Sequence, residues 1–204
     1  MLAFGSEYST NKNSNVGSNS NVTVAVPNKV TYTNSKSSFS GKLAENFVAF
    51  SFDYPGSWKR DLKAGTGDSP NFVKVEHETD DEITLENFAV GYFTGQKQVM
   101  PQLAEQLSNQ FKGNFPEYEK VSEGATKIGS YDGYEFHFTS HSTTAAKKPI
   151  EIWGRVILLA GDSDRKGAVL VMLATSQSSD VHGVDDVGEK GDLPGVLNSF
   201  RFVD

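Results

Sequence analysis

The stretch Phe47–Trp58, FVAFSFDYPGSW, limits the fold more than any other part of the chain. Val48, Phe50, Phe52 and Tyr54 alternate with Ala49, Ser51 and Asp53, so a strand through them lays one apolar row on a core and turns the smaller row outward. Pro55 and Gly56 stop it, because proline has no amide hydrogen for a ladder and glycine tolerates turn dihedrals. Trp58 is then placed to fold its indole back over the strand end.

The chain around this strand is long enough for one well-filled core. Its 204 residues divide into a polar leader at 1–46, rich in Ser and Asn, and a single domain at 47–204. The leader carries too little apolar surface to offset the entropy of ordering, so it is expected to be flexible. Val22, Val24 and Val26 alternate before Pro27, with Val30 and Tyr32 following, which reads as an edge strand, a partner-docking segment or an extended tail. A net charge of −7 from 19 basic and 26 acidic residues, with no basic cluster, argues against binding nucleic acid or anionic lipid, and no apolar run approaches the length needed for direct membrane insertion. With no cysteine, thiolate chemistry and disulfides are excluded.

Beyond Trp58, Asn71–Glu78 and Leu85–Thr94 flank Thr79-Asp-Asp-Glu and read as a hairpin with an acidic tip, with Phe88, Val90 and Tyr92 on one face. A helix is expected from about Gln98 to Gly113, where Met100, Leu103, Leu107 and Phe111 recur at steps of three and four. Period two returns from Tyr118. A weak strand to Ile128 and a turn near Ser130 lead into a strand bearing Tyr134, Phe136 and Phe138. A third pair, Pro149–Gly161 and Ala168–Ser176, has a second strand that is apolar on both faces and therefore central. Asp192 is placed to cap a short helix with Leu193, Val196 and Leu197, before a terminal strand through Phe200 and Phe202. The expected class is α+β: a central, mainly antiparallel sheet with helices on both faces, an α/β/α sandwich.

Three segments resemble the PsbP and Mog1-like superfamily: Phe50-Ser-Phe-Asp-Tyr-Pro-Gly-Ser-Trp58, Gly129-Ser-Tyr-Asp-Gly-Tyr134 and Val196-Leu-Asn-Ser-Phe-Arg-Phe202. The resemblance covers about 47–203 and implies an antiparallel sheet between helices in a non-enzymatic, extracytoplasmic protein. Its photosynthetic members serve photosystem II and its Mog1 branch binds a small GTPase. No motif specific to either branch accompanies these segments, so the resemblance implies a bacterial member outside both.

Candidate chemistry is sparse. His137 and His141, with Glu135, offer imidazoles and a carboxylate for a zinc-like cation, although residues four apart along a strand lie about 13 Å apart. His77 beside Glu76 and Glu78 is a weaker version of the same idea. The acidic run through Asp80 and Asp81 suits either calcium or a positively charged partner. Trp153 beside Arg155 is a candidate partner contact. No Gly-x-Ser-x-Gly or phosphate-loop motif is present. The expected function is a non-enzymatic binding or assembly module that needs no cofactor and acts on an unknown protein partner, periplasmic or otherwise extracytoplasmic by the resemblance, with a metal-binding protein or metal-dependent enzyme using His137 and His141 with nearby carboxylates as the alternative.

Overall fold

A computed structural model describes residues 28–67, 69–144, 147–161 and 166–203. It contains a seven-stranded and a three-stranded sheet, and every strand pairing is antiparallel. The larger sheet runs in the order β3 (Lys59–Arg60), β4 (Asn71–Glu78), β5 (Thr84–Thr94), β9 (Lys166–Thr175), β8 (Pro149–Ala160), β7 (Tyr131–Thr143) and β6 (Glu119–Ile128). β9 is the middle strand, as its two apolar faces require.

The strand through Phe50 does not join this sheet. β2 (Phe50–Pro55) is the centre of the smaller one, between β1 (Lys29–Thr33) and β10 (Arg201–Phe202). The expectation of a single β layer is thereby corrected: Phe50 and Phe52 point across at the larger sheet, meeting Phe72 and Phe88 with ring centroids 5.9 and 5.0 Å apart. Each buried phenylalanine stabilises the contact by roughly 1.5–3 kcal/mol. The leader boundary at residue 46 is corrected too. Lys29–Thr33 pairs along the whole of β2, and α1 (Gly41–Glu45) buries Leu43 in the same core, so residues 28–46 belong to the domain. Expectations placed on residues 1–27, including Val22, Val24 and Val26, lie outside the described residues.

The two faces of the larger sheet carry separate cores, and strand parity shows why. On β8, Trp153, Ile157 and Leu159 join the core beneath the small sheet and α3 (Leu193–Ser199), while Val156 and Leu158 join the one beneath α2 (Met100–Asn114). On β9, Leu170, Met172 and Ala174 face the first core and Val169 the second. Helices therefore lie on both faces. α2 begins two residues later than expected and packs Met100, Ala104, Leu103, Leu107 and Phe111 against Phe136 and Phe138.

One glycine is required by this packing. Gly154 lies opposite Phe138 in the β7–β8 register, and any Cβ there would overlap the Phe138 ring. Gly154→Ala is expected to cost about 1–3 kcal/mol through overpacking. Thermal denaturation checks this as a Tm lowered by roughly 3–10 °C, and an unchanged Tm would refute it.

Candidate functional site

The expected metal ligands are not brought together. Glu135, His137 and His141 all face the small-sheet side of β7, which runs without a bulge against β8, so the two histidines stay a full four residues apart. His137 Nε2 lies 3.8 Å from Glu135 Oε1, and its buried Nδ1 has no partner among the described residues. His141 has carboxylates on opposite sides of its ring: Nδ1 is 3.7 Å from Glu117 and Nε2 is 4.0 Å from Glu151. One cation cannot use both. Among the described residues no group of three His, Asp or Glu is arranged to hold a metal ion. Calorimetric titration with zinc is expected to show no stoichiometric uptake; a tight site lost in His141→Ala would restore the metal reading.

His77 stacks on Trp58, 6.1 Å between centroids, and the acids beside it are divided between lysines. Glu76 pairs with Lys74 at 2.7 Å and Glu78 with Lys59 at 3.2 Å. At the tip of the hairpin Asp80, Asp81 and Glu82 are exposed, with no lysine paired to them among the described residues.

Trp153 and Arg155 were expected at a contact surface, and the structure corrects this, since each is 7% exposed. Their alternation on β8 points them inward, beneath the segment that connects β9 to α3. Arg155 Nε donates to Glu135 Oε2 at 3.0 Å, with Nη2 3.0 Å from the same oxygen in an ion pair, and Nη1 donates to Glu189 Oε1 at 2.8 Å. Burial raises the Glu135 pKa, but His137 and the Arg155 guanidinium outweigh that and hold it below the ordinary carboxylate value. Gly188, at φ +79°, lets the backbone close on this cluster: a Cβ there would lie 3.1 Å from Arg155 Nη1. The arrangement fastens the 184–190 segment to the sheet.

A second buried charge escaped the sequence reading. Glu86 is 3% exposed and accepts from Ser178 Oγ at 3.2 Å and from the Asp192 and Leu193 amides at 3.2 and 3.3 Å. It thereby satisfies the first amides of α3, whose expected cap, Asp192, makes no side-chain cap bond and instead accepts from Trp58 Nε1 at 3.3 Å. Burial raises the Glu86 pKa. The signal was available: Glu86 is two residues before Phe88, on the apolar row of β5.

A cleft of about 430 Å³ opens at one end of the sheet, between the β5–α2 connection, the β6–β7 turn and the start of β9. Across it Lys97 Nζ meets Asp132 Oδ2 at 2.6 Å, and Lys166 donates to the Glu45 carbonyl at 2.8 Å. Its walls include the exposed polar side chains of Gln96, Lys97, Gln98, Ser130 and Asp132.

No family model matches the sequence, and no curated protein matches it. Several solved structures are similar. LpqN of Mycobacterium tuberculosis, described as involved in cell envelope biogenesis, aligns with 86% of this chain and 92% of its own, at 8% identity and a TM-score of 0.50. Cyanobacterial PsbP (CyanoP) from Synechocystis aligns with 91% of this chain and 98% of its own, at 14% identity and a TM-score of 0.48. A structure from Bacteroides thetaiotaomicron aligns with 76% of this chain at 12% identity and a TM-score of 0.42, and the chain spans 45% of that protein's length. The likeness is one of fold alone.

Proposed function

We propose that this chain is a non-enzymatic binding module that works outside the cytoplasm and docks a protein partner through the loop rim of its sheet. The observation that carries this reading is the use made of the two charged side chains buried among the described residues. Arg155 is spent on Glu135 and Glu189, and Glu86 on the amides of α3. Groups held in that way fix loops in place and offer no free base or nucleophile to a substrate. Free charge is left at the rim, where Asp80 and Asp81 stand exposed at the β4–β5 tip. Similarity in fold to LpqN, a protein of cell envelope biogenesis, supports a setting at the envelope. No helix among the described residues is long and apolar enough to cross a membrane.

The test is a photo-crosslinking residue at position 81 of the full chain, used in its native cells. A discrete crosslinked protein is expected. With that partner purified, Asp80→Lys with Asp81→Lys should slow association about tenfold and flatten its salt dependence. Association at an unchanged rate would remove the tip from the interface.

A further inference from the structure

The two edges of the seven-stranded sheet are treated differently. Beside β4 lie β3 and the loop that follows it, tied on by the Asp61 amide to the Lys74 carbonyl (2.9 Å) and the Gly65 amide to the Asn71 carbonyl (2.8 Å). Beyond β6, among the described residues, no strand is paired. Exposed edges of this kind are templates for another strand. The first half of β6 is blunted by the irregular register at Lys120–Ser122, and Lys120 bridges Glu105 of α2 and Glu123 at 2.7 and 2.8 Å. The second half, Glu123–Ile128, keeps unbroken register with β7. Alongside it a groove of about 350 Å³ opens under the first turn of α2, lined by Met100, Pro101, Ala125 and Tyr134.

One stretch of this chain has the chemistry to fill it. Asn21-Val-Thr-Val-Ala-Val-Pro27 is uncharged, and an added strand would set Val22, Val24 and Val26 on a single side. Five extended residues span about 17 Å, within the roughly 20 Å of the regular edge. The stretch cannot reach the β6 of its own molecule. Asn28 accepts from the Gly56 amide, beside the turn into β3, and β6 is five strand spacings beyond β4, about 24 Å away. Val26 is two residues from Asn28, which allows about 7 Å. Nor can it fold back on β1 by a two-residue turn, because Pro27 would occupy a position that needs positive φ and its ring holds φ near about −65°.

We propose that Val22–Val26 of one copy adds as a strand to Glu123–Ile128 of a second copy, with its valines in the groove beside Met100 and Tyr134. Donor and acceptor are different surfaces, so copies either exchange strands reciprocally in a closed dimer or join head to tail into rings or open chains. This goes beyond the partner docking proposed above, and either can fail alone.

The test uses the full chain in sedimentation velocity from micromolar to millimolar concentration. Association to a dimer or larger assembly is expected, lost in Val24→Asp, which spoils the donor, and lost in Ala125→Lys, which fills the acceptor at an exposed position. Mixing the two variants should restore one dimer, since each keeps the half the other lacks. A wild-type chain that stays monomeric throughout, or association that survives either variant, overturns the proposal. A labelled Asn21–Pro27 peptide should bind Val24→Asp and not Ala125→Lys; equal binding to both also overturns it.

Discussion

Arg155→Ala is expected to lower the unfolding free energy by about 3 kcal/mol, the lower end of the range for breaking a buried ion pair. The loss is large because Glu135, mostly buried, is left without the guanidinium hydrogen bond and ion pair that offset its burial. It is not larger because Glu189, with 65% of its side chain exposed, can return to water. Glu189→Ala should accordingly cost under about 1 kcal/mol. Replacing both Arg155 and Glu135 by apolar residues of similar volume should recover most of the loss, since the charge and its counter-charge leave together. Urea denaturation of the four proteins decides this, and a cost below about 1 kcal/mol for Arg155→Ala would show that the cluster does not hold the 184–190 segment. The pH dependence has a definite sign. The Glu135 pKa is lowered in the folded state, so its contribution is complete above the ordinary carboxylate value and is lost as the pH falls through the lowered one.

Glu86 titrates in the opposite sense. Its folded pKa is raised by burial, so its contribution is fully present below the ordinary carboxylate value and is lost as the pH rises through the raised one. Glu86→Gln should therefore gain stability relative to the wild type between pH 4 and pH 8. The amide can keep the bonds: its oxygen can accept from Asp192 and Leu193, and its NH2 can donate to Ser178 Oγ, which reverses its role. Glu86→Ala has no such replacement. It leaves the Asp192 and Leu193 amides at the start of α3 and a hydroxyl without an acceptor, at an expected cost of about 2–4 kcal/mol. Denaturation midpoints across that pH range are the measurement, and a Gln variant that loses ground as the pH rises would reverse the assignment.

Both residues show how a site hides from a linear reading. Glu86 and Arg155 each occupy a position whose alternation with apolar neighbours points inward, and that alternation was visible. Their partners were not: Ser178 and Asp192 lie 92 and 106 residues from Glu86, and Glu189 lies 34 from Arg155. Period two says which way a side chain points, and nothing local says what arrives to meet it.

The same division runs through the fold. By itself the sequence determined β4, the α2 face of Met100, Leu103, Leu107 and Phe111, the central place of β9 and the short helix after Asp192, because each rests on periodicity and stop signals within a dozen residues. Tertiary structure alone decided that Phe50 and Phe52 belong to a second sheet, that residues 28–46 complete it, and that Trp153 and Arg155 are interior. Those outcomes depend on which distant strand lies alongside. β2 finds β10 about 150 residues later, at Phe50 and Phe202, and that choice is made by burying Phe50 against Phe72 and Phe200, not by any local preference of the chain.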